Sequence, residues 1–155
     1  MNKPTLNHFG LTVRDIQRSI DFYSRLGGTL AVEVAAFSGP DIDEGLRLEG
    51  VDLKACMISI GGTLIELLQY DSPLGNDYVS GNQDVGSAHI ALQVDDILEL
   101  HRSLSEDGYD FYSAPKRIAD GPFEGGYFVY FRDPDGITVE LIQPGPGFAA
   151  AIAAL

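Results

Sequence analysis

Two histidines and two glutamates stand at matching places in a sequence that repeats itself. His8–Ile16 aligns without a gap on His89–Ile97, and Gly62–Gln69 aligns on Gly136–Gln143. Each copy has one histidine early and one glutamate late, and imidazole nitrogen and carboxylate oxygen are both ligands of divalent metal ions. The repeat therefore predicts a metal site built from two half-sites. The four predicted ligands are His8, Glu66, His89 and Glu140.

Any one of these four residues alone has an ordinary structural explanation, as a core or rim histidine or as a charge at a strand edge. Four at equivalent positions favour a metal site instead. Side chains alternate between the two faces of a strand, so Glu66 shares its face with two leucines and Glu140 shares its face with Ile142. A carboxylate in such surroundings costs on the order of several kcal/mol unless it is paired, protonated or ligated.

The elements that must position these residues recur in the order βαβββ. In the first copy, a predicted strand over Leu6–Val13 leads to a helix that is capped by Asp15 and ends at Gly27. The remaining elements are a strand at Thr29–Ala36, a loop from Ser38 to Gly50, and a hairpin of Val51–Ile60 with Thr63–Tyr70.

The second copy repeats this order. A predicted strand over Ser87–Val94 leads to a helix that is capped by Asp96 and ended by Gly108. The remaining elements are a short strand near Tyr109–Tyr112 and a hairpin of Tyr127–Phe131 with Ile137–Ile142, which turns at Asp133–Gly136. Asp15 and Asp96 match across the repeat, but capping explains both, so neither is counted as a ligand. His101 has no counterpart in the first copy and is predicted to be a surface side chain.

Composition and charge limit the classes of function. The chain has 155 residues, 45% of them hydrophobic, and a formal net charge of -13, so we expect a single domain with a substantial core and no binding to nucleic acid. No stretch has the roughly 20 apolar residues of a membrane helix, and the polar start is unlike a signal peptide. We therefore expect a cytoplasmic protein without membrane contacts. The lone Cys56 lies in an apolar run and is predicted to be a buried thiol without a catalytic role.

The acidic surface would oppose an anionic substrate, so local cations would have to bind one. The candidate cations are Lys54, Lys116, Arg117 and Arg132. Each of them also has an ordinary explanation as a solvated charge at a strand end or in a loop.

Three segments carry a resemblance to a known superfamily. They are Asp15–Tyr23, Gly86–Asp96 and Phe131–Ile142, which look like its first helix, its central strand and its closing hairpin. The sequence resembles the vicinal oxygen chelate superfamily, which includes glyoxalase I, methylmalonyl-CoA epimerase, extradiol dioxygenases and antibiotic-resistance proteins. The resemblance covers nearly the whole chain, from His8 to Gln143.

The resemblance implies an α+β fold of paired βαβββ modules. The modules, at about 5–71 and about 86–143, are expected to form a curled, mostly antiparallel eight-stranded sheet cleft around a metal ion. Residues 1–155 would then be one domain, with a short tail at 144–155. A small-molecule substrate and a homodimer are implied as well.

The resemblance also implies a reaction. Two histidines with two glutamates look most like glyoxalase I, with one divalent ion, Ni, Zn, Co, Mn or Fe, bound at the four predicted ligands. Such a site removes a proton next to a carbonyl, because the ion stabilises the charge that forms and a carboxylate takes the proton. By resemblance, Glu140 is the catalytic base, and Glu66 is a ligand and second proton carrier. The expected enzyme is a lyase or isomerase, similar to glyoxalase I or to an acyl-CoA epimerase.

The substrate-binding candidates include two departures from glyoxalase I. Bacterial glyoxalase I usually has an Arg four residues after the first His and an Asn four residues after the first Glu, and both recognise glutathione. Here Thr12 and Tyr70 stand in those places, so glutathione is not implied as cosubstrate. The other candidates are Gln93 on the face of His89, the cation Arg132, and Phe123 in a loop that either closes over the substrate or is an ordinary connection.

Two other classes of function stay open. An Fe(II)-dependent extradiol-type dioxygenase would use two histidines and one carboxylate, and a second glutamate ligand argues against it. A non-catalytic protein of the same fold that binds drugs or other small molecules would need the cavity without the metal. The complete set of four ligands argues against this alternative.

Overall fold

The computed structural model describes residues 3–77 and 80–148. The chain divides into two compact units, residues 1–77 and 78–155. Both have the element order βαβββ, and the first contains an additional short helix. Within the described ranges, no helix is long and apolar enough to span a lipid bilayer.

The first unit folds around a four-stranded sheet. Its elements are β1 (Phe9–Thr12), α1 (Ile16–Arg25), β2 (Thr29–Ser38), α2 (Pro40–Leu46), β3 (Asp52–Ile60) and β4 (Thr63–Ser72). The strand order is β1-β4-β3-β2, and only β1 and β4 among these neighbours run parallel. Helix α1 buries Tyr23 completely, together with Ile58 of β3 and Leu67 of β4. Each buried apolar side chain of this size contributes about 1.5–3 kcal/mol.

The second unit repeats the arrangement. Its elements are β5 (His89–Gln93), α3 (Ile97–Glu106), β6 (Lys116–Arg117), β7 (Tyr127–Arg132) and β8 (Thr138–Gln143). The strand order is β5-β8-β7-β6, with β5 parallel to β8. Ile97 and Leu104 of α3 are fully buried, as are Phe131 of β7 and Leu141 of β8. The predicted α+β class and the two βαβββ repeats are therefore confirmed, and the strands of the described residues form two mixed four-stranded sheets.

The two predicted aspartates cap helices α1 and α3. The side chain of Asp15 accepts a hydrogen bond from the Arg18 N–H at 3.0 Å, and that of Asp96 accepts one from the Glu99 N–H at 3.0 Å. These bonds satisfy N–H groups that have no partner within the first turn of the helix. Capping thus accounts for both aspartates.

The predicted loop from Ser38 to Gly50 is wrong in part, because it contains α2. Pro40 has the fixed φ suited to a first helical turn, and the Asp43 carboxylate accepts the N–H groups of Gly50 and Val51 at 3.0 and 2.8 Å. The sequence pattern gave no sign of this helix because none of its seven residues, all of them described, is buried. An apolar stripe was therefore missing.

The predicted strand near Tyr109–Tyr112 is also wrong. Only a single bridge joins Phe111 to Phe131, and the strand lies later, at Lys116–Arg117. The aromatic residues are held by ring packing: Phe111 lies 4.7 Å from Phe131 and 4.4 Å from His101 between ring centroids. His101 is therefore half-buried against Phe111. The prediction that it is a surface side chain is wrong.

Candidate functional site

The first half-site lies where β1 and β4 run side by side. Gly10 is opposite Glu66 in this parallel pair, and a Cβ atom at Gly10 would lie 3.6 Å from Glu66 Oε2. His8, just before β1, places its Nε2 atom 3.3 Å from Glu66 Oε2. Its other ring nitrogen, Nδ1, lies 2.8 Å from Asn7 Oδ1. When Nδ1 donates to that oxygen, Nε2 has its lone pair available for a metal ion.

The second half-site has the same construction on β5 and β8. Ala91 is opposite Glu140 in this parallel pair, and His89 Nε2 lies 3.1 Å from Glu140 Oε2. The Glu140 side chain is 11% exposed, against 24% for Glu66. The structure therefore brings each predicted histidine to the predicted glutamate of its own unit.

The chemistry and spacing of both pairs suit a metal ion. Two ligand atoms that each lie about 2.0–2.2 Å from one ion are about 2.8–3.6 Å apart, from octahedral to tetrahedral coordination. Both His–Glu distances lie in this interval. A direct hydrogen bond between imidazole and carboxylate, at about 2.7–3.2 Å, would also account for the 3.1 Å of the second pair. Among residues 3–77 and 80–148, no group of three or more His, Cys, Asp or Glu side chains could hold a metal ion as it stands. Each unit holds one of the two histidine–glutamate pairs.

Tyr130 is a functional candidate that sequence reasoning missed. It lies opposite Glu140 in the β7–β8 ladder, and its ring packs edge-on against the His89 ring, with centroids 5.7 Å apart. Burial raises the pKa of Tyr130 most, followed by the negative charge of Glu140 and a hydrogen bond to its carboxylate. The phenol therefore keeps its proton at neutral pH and acts as a donor. The predicted hairpin could have indicated this residue, because its register places Tyr130 opposite Glu140.

Four of the predicted substrate-binding residues share a face with a half-site. Thr12 and Tyr70 lie on the Glu66 face of the first sheet, and Gln93 and Arg132 lie on the Glu140 face of the second. Arg132 is already engaged, because its N–H groups donate to Gly136 O at 2.5 Å and Ser80 O at 2.8 Å. Phe123 lies outside the strands. Their role toward a substrate stays a prediction.

Phe123 packs against another aromatic ring, and the ammonium group of Lys54 pairs with a carboxylate. The Phe123 ring lies 5.0 Å from Phe148 between centroids. Lys54 Nζ lies 2.7 Å from Asp71 Oδ2, and the hydrogen bond between them raises the pKa of Lys54 and lowers that of Asp71. Lys116 and Arg117 form the exposed strand β6.

Cys56 is buried, as predicted. Burial is the main cause that raises the pKa of its thiol. A neutral, enclosed thiol is a poor nucleophile, so this residue is not part of the candidate site.

Each βαβββ unit thus carries one histidine–glutamate pair, as the resemblance to the vicinal oxygen chelate superfamily implies. The sequence profile of the Glyoxalase/Bleomycin resistance protein/Dioxygenase superfamily matches residues 5–141. The chain belongs to this superfamily.

The relatives of this chain include named enzymes. It is 28% identical over 143 residues to a 2-epi-5-epi-valiolone epimerase of an Actinomyces species, a match covering 89% of this chain and 78% of the relative. It is 30% identical over 152 residues to a lactoylglutathione lyase of Pseudomonas putida, covering 90% and 85%. The crystal structure of a glyoxalase family protein from Bacillus cereus superimposes with a TM-score of 0.77 at 19% identity, covering 93% of this chain and 98% of that one. This structural likeness shows the shared fold.

Proposed function

We propose that this protein is a divalent-metal-dependent lyase or isomerase that moves a proton on the carbon next to a carbonyl or thioester. The observation that carries the proposal is the pair of equivalent histidine–glutamate contacts, at 3.3 Å in the first unit and 3.1 Å in the second. The relatives named as an epimerase and as a lactoylglutathione lyase support the same class of chemistry.

The proposed ligands are the four residues of the two half-sites, His8, Glu66, His89 and Glu140. The proposal is the same whether the half-sites come from one chain or from two copies. When bound, a divalent ion of the series Ni, Zn, Co, Mn or Fe would polarise the substrate carbonyl and stabilise the negative charge left by the departing proton.

Glu140 is the proposed base. Its side chain is the more enclosed of the two carboxylates, and low exposure to water strengthens its interactions with neighbouring groups. One carboxylate oxygen would take the proton from the substrate carbon and, in an isomerisation, return it to the neighbouring carbon. Glu66 is proposed as the second proton carrier, which an epimerase needs when the proton arrives on the opposite face.

We also propose a homodimer. Strand β2 is an edge strand and exposes Val32 at 54% and Phe37 at 44%. A long apolar edge of this kind commonly pairs with another protein surface. Light scattering after size exclusion should give twice the mass of the 16.7 kDa chain.

The test of the reaction combines metal analysis with proton exchange. Protein loaded with Ni²⁺, Co²⁺ or Zn²⁺ is incubated in D₂O with methylglyoxal hemithioacetals, acyl-CoA esters and α-oxo acids, and deuterium entry is followed by NMR. We expect exchange at one class of substrate and its loss after metal removal. Glu44→Gln, on the exposed helix α2, is the matched control for Glu140→Gln and Glu66→Gln.

Two results would contradict the proposal. Protein that binds no divalent ion under any condition would favour a metal-free binding protein. Oxygen uptake with Fe²⁺ and catechols, without any proton exchange, would favour a ring-cleaving dioxygenase.

A further inference from the structure

The two half-sites differ in the residue that faces the glutamate across the hairpin. We propose that Tyr130 is a positioning residue that holds the carboxylate of Glu140 against His89, so that the second half-site is specialised for proton transfer. The inference rests on the proposed function and extends it to a residue outside the predicted ligand set.

The contacts of Tyr130 connect both members of the second pair. It lies opposite Glu140 in the ladder of β7 and β8, and this register places its hydroxyl beside the Glu140 carboxylate. Its ring meets the His89 ring at 89°, with centroids 5.7 Å apart. The Tyr130 hydroxyl thus restricts the Glu140 carboxylate, and the Tyr130 ring restricts the His89 imidazole through an edge-to-face contact.

Tyr130 itself is held in place on the same face of the sheet. Its ring lies 5.8 Å from Phe128 and 6.5 Å from Tyr112 between centroids. A side chain packed among aromatic rings has few alternative rotamers, so its hydroxyl has a fixed direction. This rigidity is what a positioning residue requires.

The first half-site has no such donor at the matching position. Met57 faces Glu66 in the ladder of β3 and β4, and a thioether cannot donate a hydrogen bond. The Glu66 carboxylate is therefore restrained by His8 without an equivalent of Tyr130. The duplication has kept the histidine and the glutamate and changed the residue that orients them.

The substitution Tyr130→Phe tests the inference because it removes the hydroxyl and leaves the ring. We expect kcat for proton exchange to fall about 10–100-fold, a size typical for groups that orient metal ligands, with little change in KM. The Co²⁺ absorption spectrum of the loaded variant should shift, and its Co²⁺ affinity should fall by a similar factor. Tyr127→Phe is the matched control, since Tyr127 lies on the same strand but on the opposite face.

A crystal structure of the metal-free Tyr130→Phe variant separates this inference from the proposed function. We expect the Glu140 carboxylate to leave its position beside His89 Nε2, and to keep it in Tyr127→Phe. If Glu140 stays in place in both variants, the positioning role is wrong even if wild-type protein binds metal and exchanges protons. If Glu140 moves but wild-type protein shows no exchange with any substrate, the positioning role stands and the proposed reaction is wrong.

Discussion

The two units share a set of hydrogen bonds that the repeat places at equivalent residues. The side-chain oxygen of Gln69 accepts the N–H of Ile16 at 2.9 Å, and that of Gln143 accepts the N–H of Ile97 at 3.0 Å. In both units the last glutamine of the repeat thus binds the first turn of the helix. These bonds tie the helix to the strand that carries the glutamate.

The surroundings of the glutamates differ far more than this framework. The Glu140 side chain is 11% exposed and faces a tyrosine, whereas the Glu66 side chain is 24% exposed and faces a methionine. A duplicated fold keeps the backbone positions of functional groups, because register fixes them. The neighbours can change without moving those positions, so the same pair of residues lies in different surroundings in the two units.

Substitution of the two glutamates tests the proposed difference between the two units most directly. Glu140→Gln should lower substrate proton exchange about 10²–10⁴-fold, the usual contribution of a general base, and Glu66→Gln should cause the smaller loss. Deuterium incorporation measured by NMR gives both rates, and melting curves show whether each variant is folded. Equal losses, or a larger loss for Glu66→Gln, would show that the two half-sites are not specialised as proposed.

The cores allow a second test, in which the two units should behave alike. Leu67 and Leu141 are repeat-equivalent, adjacent to the glutamates, and both 0% exposed. Replacing either by alanine should lower the free energy of unfolding by about 2–5 kcal/mol. Urea denaturation followed by circular dichroism measures this loss. A cost below about 1 kcal/mol in one unit alone would show that its core repacks and that the framework is not equally rigid.

The glutamine bonds provide a third and smaller test. Gln69→Ala or Gln143→Ala leaves the first N–H of a helix, which is part-buried, without its acceptor. This should cost about 1–3 kcal/mol. Ile97 is 0% exposed and Ile16 is 6% exposed, so water can replace neither acceptor easily. The loss should therefore be similar in the two units. Urea titrations of both variants check this, and an unchanged midpoint would remove the glutamines from the shared framework.

The sequence predicted the framework because the framework is what the repeat preserves. Alternating apolar residues identified most of the strands, and helical spacing with aspartate caps identified α1 and α3. The same alignment predicted His8, Glu66, His89 and Glu140 as the ligands of one metal site, which stays a prediction. Gln69 and Gln143 were part of the aligned segments, but their bonds to the helices depend on how strand and helix approach each other, which spacing alone does not give.

The features that differ between the units were the ones missed. Tyr130 is a typical strand former, so its residue type gave no functional signal until the register placed it opposite Glu140. Helix α2 lacks a buried face, and β6 has only two residues. Such elements follow from tertiary contacts and leave no periodic pattern in the sequence. The substrate-binding residues are defined by their contacts with a ligand, so they stay predictions.

The helix caps should give the smallest effect, and they test whether charge or hydrogen bonding is what the repeat preserves. Asp15→Ala and Asp96→Ala each remove an acceptor at 3.0 Å and should cost about 0.5–2 kcal/mol. Asp→Asn at the same positions keeps an acceptor oxygen without the charge, so it should retain most of the stability. Thermal unfolding of the four variants measures this. Both caps are exposed. A large loss of stability with asparagine would mean that the negative charge at the helix start, and not the hydrogen bond, stabilises the helix. Equal behaviour at both positions would show that the capping bond, like the glutamine bond, belongs to the framework on which the two glutamates have become different.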